Sequence, residues 1–391
     1  MFNFEYNTPT RVIFGRDTVE KVGGLVKGYK GTKVLIHYGS GSVVRSGLLG
    51  KVKNSLAESG IAFVELGGAV PNPRLSLVYK GIELAKSEGV DFVLAVGGGS
   101  AIDSAKAICY GLANEGDVWD FYTKTRVPQA SAPLGVILTL SATGSEMSNS
   151  SVITNEDGWL KRGCNNENCR PIFAIMDPVL TMTLPDYQTA CGCTDILMHT
   201  MERYFTNGGN MEITDSIAEA LMRTVIKYAL ILKDQPDNYE ARAEIMWAGS
   251  LSHNGLTGCG NDGGDFASHM IEHEIGGMFD VAHGAGLAAI WGSWARYVYK
   301  NNLHRFVSFA EKIMGVKGSS DEETALLGIE AMENFYRSIN MPTSMSELGV
   351  FPTDEQIDEM AYKAALGCGG SKGSAMVLRE DDIREIYKMA K

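Results

Sequence analysis

The sequence predicts an α/β fold for its N-terminal part and an all-helical fold for the remainder. Three observations carry that prediction. Short β-branched runs alternate with amphipathic stretches as far as residue 185, the pattern of a parallel sheet covered by helices. After Leu184-Pro185 the strand signal stops and helical periodicity replaces it. Glycine-rich and hydroxyl-rich loops follow the apolar runs, at the strand ends where open α/β sheets take ligands.

The strands expected are 33–39 (KVLIHYG), 61–66 (IAFVEL), 91–99 (DFVLAVGGG), 134–140 (LGVILTL) and 171–178 (PIFAIMDP). Segments 43–59 and 75–89 read as helices between them. SSVITNEDGWLKRG carries a Glu-Asp-Gly turn between two extended pieces and reads as a hairpin added to the sheet. From residue 186, segments 213–232, 240–255, 266–276, 287–300 and 322–339 have helical periodicity, separated by Gly, Asn or Pro. A chain of 391 residues exceeds one typical domain. The domains expected are a dinucleotide-binding α/β domain over 1–185 and a helical metal-binding domain over 186–391. With no low-complexity linker, they are expected to share an interface and a cleft.

A hydrophobic fraction of 45% against 21% charged residues excludes wholesale disorder. A net charge of −12 argues against a nucleic-acid partner, which calls for a basic face. The seven cysteines form neither a paired CxxC zinc pattern nor a small secreted disulfide layout. No apolar run approaches the roughly 18 residues of a membrane span, and the start lacks a basic segment followed by an apolar one. A cytoplasmic protein without membrane association is expected.

Asp195, His199, His269 and His283 carry the chemistry. Asp195 and His199 stand four apart, one turn apart on one helical face. In HMIEHEIGGMFDVAHGAG, His269 and His273 again share a face, Gly276-Gly277 is expected to break the helix, and His283 opens the next one. Any one histidine is more often a surface or hydrogen-bonded core residue than a ligand. Four of only seven falling in these two segments reverses that weighting. One carboxylate and three imidazoles suit Fe²⁺, Zn²⁺ or a similar ion and leave a coordination position open for substrate or water.

A second motif, GGGSAIDSAK from Gly97, follows a strand and opens a helix, so bare backbone N–H groups lie at the positive end of a helix dipole. A pyrophosphate could rest there, though glycines after strands also serve tight turns, and this is not a GxGxxG fingerprint. TLSATGSE supplies Thr139, Ser141, Thr143 and Ser145 as donors after another strand end; a helix cap is the equally plain reading. Two loops at carboxyl ends of neighbouring strands can serve one ligand, and a dinucleotide is the economical choice.

The strings GGGSAIDSAK, TLSATGSEMSN, DPVLTMTLP, GCTDILMHTMERY and HMIEHEIGGMFDVAHGAG, in this order, resemble the iron-containing (group III) alcohol dehydrogenase family over residues 1–385. Within it the chain is most similar to the branch of butanol dehydrogenases and NADPH-dependent aldehyde reductases. The resemblance implies a dehydroquinate synthase-like architecture: a Rossmann-like parallel-sheet domain, a helical C-terminal domain, and a homodimer acting on small alcohols or aldehydes. It makes Asp195, His199, His269 and His283 the metal ligands, with Fe²⁺ the expected ion and Zn²⁺ admissible, and His273 a proton relay. It assigns Gly97, Gly98, Ser100 and Asp103 to the pyrophosphate loop, Thr139, Thr143, Leu180 and Lys161 to other cofactor contacts, and Asn149 and Cys368 to the substrate. A Lys alone is usually solvated and a buried Cys is commonly a small hydrophobe, so Lys161 and Cys368 rest on the resemblance.

Two features depart from the family pattern. The polar segment from Gly163 to Arg170, with thiols at Cys164 and Cys169, is expected to fray or to bind adventitious metal, and Trp291 to crowd the cleft edge. The loop after the first strand decides the nucleotide. An acidic side chain there would bond the ribose 2′-hydroxyl and repel a 2′-phosphate. Gly39, Ser40, Gly41 and Ser42 include none, so NADP(H) is expected in preference to NAD(H). The alternatives are a zinc-dependent polyol dehydrogenase of the glycerol type and a non-catalytic cofactor- or metal-binding protein.

Overall fold

A computed structural model describes residues 1–39 and 41–391. The chain divides into two units, Thr8–Thr183 and a second formed by Met1–Asn7 with Leu184–Lys391.

In the first unit the apolar runs become strands β1 (Arg11–Phe14), β2 (Lys33–Gly39), β3 (Ala62–Ala69), β4 (Phe92–Gly97), β5 (Leu134–Leu138), β6 (Ser150–Asn155), β7 (Leu160–Asn165) and β8 (Phe173–Met176). Six of them form one sheet in the order β1-β8-β5-β4-β2-β3, with every neighbouring pair parallel. Every residue of β4 and β5 is buried, as central strands covered on both faces must be. Burying a Val, Leu or Ile side chain stabilises by about 1.5–3 kcal/mol, so these β-branched runs hold the sheet. β1, four residues long on the sheet edge, was not foreseen, because so short a segment offers almost no alternation to read.

The helices of this unit are α1 (Val22–Gly28), α2 (Ser42–Arg45), α3 (Leu48–Glu58), α4 (Leu75–Ser87), α5 (Gly99–Ala113) and α6 (Trp119–Tyr122). The single helix expected over 43–59 is thus two. Gly47 takes φ 77° between them, and a left-handed residue ends one helix before the next begins. The hairpin also differs from expectation: β6 and β7 form a separate two-stranded antiparallel sheet, with one isolated parallel bridge between Thr154 and Arg74. Donors of β6 are taken by α5 and a loop instead. Ser151 Oγ donates to the Asp103 carbonyl at 2.9 Å, Val152 N–H to the Asp103 carboxylate at 2.9 Å, and Thr154 N–H to the Pro73 carbonyl at 2.8 Å.

The second unit comprises α7 (Asp186–Tyr204), α8 (Glu212–Asp234), α9 (Tyr239–His253), α10 (Ala267–Phe279), α11 (His283–Val298), α12 (Leu303–Phe309), α13 (Asp321–Ser338), α14 (Asp354–Gly367) and α15 (Glu380–Ala390). Its core is one apolar cluster to which α7, α10 and α11 all contribute. Trp291 is fully buried there, against Phe309 and Tyr336, and so is a core residue rather than a crowding one. α10 runs unbroken through Gly276-Gly277. Two glycines cost roughly 2 kcal/mol in a helix interior, less than the burial of Ile271 and Ile275 returns. The turn falls at Asp280, which is left-handed at φ 52° and lets His283 start α11. Among the described residues no helix is long and apolar enough to cross a membrane.

Candidate active site

On α7 the four-residue spacing does what it predicts: Asp195 and His199 project from one face and are 2% and 4% exposed. His269, in the first turn of α10, and His283, at the start of α11, come to the same carboxylate. From Asp195 Oδ1 it is 3.4 Å to His199 Nδ1, 3.6 Å to His269 Nε2 and 3.7 Å to His283 Nε2. These separations are long for hydrogen bonds. For Asp195, His199 and His269, whose donor atoms all lie within 4.8 Å of one another, they suit atoms sharing one ion, since ligands about 2.1 Å from a tetrahedral centre stand about 3.4 Å apart. His283 joins them through its approach to Asp195 and also groups with Glu272 and His273.

Three of these atoms, Asp195 Oδ1, His199 Nδ1 and His269 Nε2, are buried without a hydrogen-bond partner. Buried polar atoms left unsatisfied cost about 1–3 kcal/mol each, and three aimed at one point are what a cation would relieve. The donor set therefore fits a divalent ion. Burial, then the neighbouring imidazoles of His253 and His269, holds the His199 pKa well below its ordinary value, so its ring is neutral and keeps a lone pair. For His269 burial acts downward, but the Glu202 and Asp195 carboxylates outweigh it and raise the pKa to about 9. A proton and a metal ion thus compete for His269.

His273 lies one turn beyond His269, half-buried, with its ring 5.8 Å from that of His283. Its ring nitrogen falls within 4.8 Å of donor atoms of Glu272 and His283. Two carboxylates escaped the sequence reading in their actual role. Glu202 bonds the ring of His269, and Glu272 bonds the ring of His283. A signal for the first existed: Glu202 lies seven residues after Asp195, two turns along the same face. Nothing local marks His253, whose ring centroid is 4.0 Å from that of His199.

In the sheet unit the two strand-end loops pack on each other, and this packing accounts for the glycines. A Cβ on Gly99 would stand 2.5 Å from Thr143, one on Gly98 3.0 Å from Leu140, and one on Gly97 2.7 Å from Ala101. Thr139 N–H donates to the Gly97 carbonyl at 3.0 Å. Ser100 lies in the first turn of α5, where Ala101 and Ile102 N–H donate to the Gly98 carbonyl at 3.1 and 3.2 Å and those of Gly99 and Ser100 have no intrahelical carbonyl to reach. Asp103 works internally, accepting from Ser145 Oγ at 2.5 Å and from Val152 N–H, and so ties α5 to both the TLSATGSE loop and β6. Leu180 is half-buried on a short 3₁₀ turn, Pro178–Thr181, against the sheet core. Lys161 is 4% exposed on β7, not solvated.

Gly39 ends β2 and Ser42 opens α2; Ser40, named with them for the nucleotide, lies outside the described residues. A Cβ on Gly41 would stand 3.1 Å from the guanidinium of Arg45, so a cation does lie over this loop. Asn149 donates to Glu167 at 2.7 Å, and Arg170 holds Glu167 in turn at 2.6 Å. Cys368, just past α14, donates to the carbonyls of Ala364 and Ala365 at 3.2 Å each. The segment expected to fray is ordered instead. Cys164 and Cys169 are 6% and 1% exposed, the first paired along β7 and the second in a short 3₁₀ turn.

A parallel sheet with flanking helices, followed by a helical unit that gathers acidic and imidazole donors, defines a protein of dehydroquinate synthase-like architecture. Comparison with known proteins makes this narrower. Residues 9–178 match the family model described as iron-containing alcohol dehydrogenase, and residues 189–391 that of its C-terminal part. The chain is 40% identical over 390 residues, 99% of each chain, to a protein of Clostridium acetobutylicum named NADH-dependent butanol dehydrogenase A. It is 33% identical over 353 residues, 90% of each chain, to the NADPH-dependent aldehyde reductase YqhD of Escherichia coli. The crystal structure of NADH-dependent butanol dehydrogenase A from Thermotoga maritima superposes with a TM-score of 0.96 at 41% identity, covering 100% of this chain and 99% of that one. The chain belongs to the iron-containing alcohol dehydrogenase family and is an oxidoreductase.

Proposed function

We propose that the chain transfers hydride between NADP(H) and a small primary alcohol or its aldehyde, using a divalent ion held by Asp195, His199, His269 and His283. The convergence of these donors, three of their atoms buried without partners, carries the reading. The ion is read as Fe²⁺, from the family's description, with Zn²⁺ admitted by the same donors. When bound, the ion would supply Lewis-acid polarisation of the substrate oxygen, and the nicotinamide would supply or take hydride. The chain's own residues do the rest. Neutral His199 and the carboxylate-held rings of His269 and His283 present lone pairs, and burial of Asp195 keeps water from its charge. His273, half-buried beside His283, exchanges the proton with solvent. The first turn of α5, with Gly97, Gly98 and Ser100, receives the pyrophosphate.

The absence of an acidic side chain from residues 39–42, together with the Arg45 guanidinium, supports acceptance of a 2′-phosphate. A preference for NAD(H) is the second reading, because relatives at 38–40% identity are named NADH-dependent. A homodimer and a cytoplasmic setting belong to the same reading. The test is to prepare the protein with and without oxygen, quantify its metal, and assay NADPH and NADH against a series of aliphatic aldehydes. His199→Ala should lose metal and turnover together, and Gly39→Asp should move the ratio of Michaelis constants toward NADH. Turnover surviving in a metal-free variant rejects the metal assignment, and an unmoved ratio rejects the loop.

A further inference from the structure

Two carboxylates outside the donor set hold two of its histidines. Glu202 on α7 grips His269 on α10 twice, accepting its backbone N–H at 3.0 Å and bonding its Nδ1 through the other oxygen. Glu272 on α10 bonds Nδ1 of His283 on α11. Each carboxylate thus comes from one helix and bonds a histidine on another. In both rings the opposite nitrogen, Nε2, is the one that faces Asp195 Oδ1.

We infer that Glu202 and Glu272 are positioning residues that hold His269 and His283 as Nδ1–H tautomers, with the Nε2 lone pairs aimed at the divalent cation. A carboxylate only accepts hydrogen bonds, and a neutral imidazole has one N–H to give, so a carboxylate on Nδ1 dictates where the lone pair lies. Glu202 and Glu272 are 1% and 0% exposed. With Asp195 they make three buried carboxylates in contact with the same two histidines or facing them, a charge that a divalent ion partly offsets.

The glycines of HGAG serve this arrangement. A Cβ on Gly286 would stand 2.8 Å from Glu272 Cγ, and one on Gly284 would stand 2.1 Å from the Cys191 carbonyl oxygen. The first glycine makes room for the carboxylate. The second lets the start of α11 approach α7 one turn before Asp195. His199 needs no such support, because it shares a helix with Asp195 and the backbone sets their spacing.

The inference rests on the proposed metal site, and the experiment separates the two. Metal-free wild type, Glu202→Gln and Glu272→Gln are each titrated with Co²⁺ alone, following its visible absorption and competing with a chelator, while thermal melting of the metal-free forms is recorded. Each isosteric variant should bind Co²⁺ about 10- to 100-fold more weakly, with an altered spectrum, and melt near the wild-type temperature. Wild-type affinity in both variants, or lowered melting with unchanged affinity, overturns the positioning role. Should one variant not fold, the other decides alone. A wild type that takes up no Co²⁺ overturns the metal site itself, and the inference with it.

Discussion

His199 and His269 face the same buried carboxylate and yet hold opposite charge tendencies. Burial, and after it the imidazole neighbours, keeps one neutral, while carboxylate neighbours outweigh burial and raise the other to about 9. For His269 the largest upward influence is Glu202, with Asp195 adding to it. At this scale small side chains matter as much as charged ones, because Gly286 leaves the space that Glu272 occupies. Gly286→Ala should push the Glu272 side chain off His283 and weaken divalent-metal binding by about tenfold, in line with the effect of losing an orienting partner. Metal content after dialysis against a buffered chelator measures this. Retention equal to wild type would show that the carboxylate tolerates the methyl group.

Among the elements, β2 carries a titratable group inside the sheet. His37 is fully buried, its ring nitrogens 2.9 Å from the Leu66 carbonyl on β3 and 2.9 Å from Ser104 Oγ on α5. A neutral ring satisfies both, donating to the carbonyl and accepting from the hydroxyl. Burial depresses its pKa from 6.5 to about 4, against the smaller opposite effect of the Leu66 carbonyl. The unfolded chain therefore binds a proton that the folded one refuses. Stability is unaffected above the unfolded pKa and falls as pH drops toward the folded one. Between about pH 7 and about pH 5 the loss attributable to His37 should be roughly 2 kcal/mol. Urea unfolding of wild type and His37→Gln at both values checks it, since the variant should lose that part of the slope. Identical slopes would remove His37 as the cause.

For the molecule as a whole, a resident ion is a ligand of the folded state alone. Any ion bound at 100 times its dissociation constant adds about 2.7 kcal/mol to stability. In a unit of this size each kcal/mol moves the melting temperature by roughly 2–4 °C, so chelation should lower it by roughly 5–10 °C. Calorimetry with and without chelator, followed by re-addition of Fe²⁺ or Zn²⁺ under nitrogen, measures the shift. An unchanged melting temperature would mean that Asp195, Glu202 and Glu272 are accommodated without a cation.

Two kinds of information separate along this chain. The alternation of β-branched runs, the switch to helical period after Leu184-Pro185, and the spacing of Asp195 and His199 are local, and a sequence displays them directly. They were enough for the two-part architecture, and the helical spacing singled out Asp195 and His199 among the four proposed metal donors. Pairings across long separations are settled by packing. Glu202 and His269 are 67 residues apart and meet only because α7 and α10 lie in one core. The short edge strand β1, the independent hairpin, the burial of Trp291 and the continuity of α10 through two glycines were decided the same way. In each, the energy of burial across the fold exceeded the small preferences of the local chain. Residue chemistry thus determined which groups can bind a metal, and the tertiary structure decided which carboxylates hold them in place.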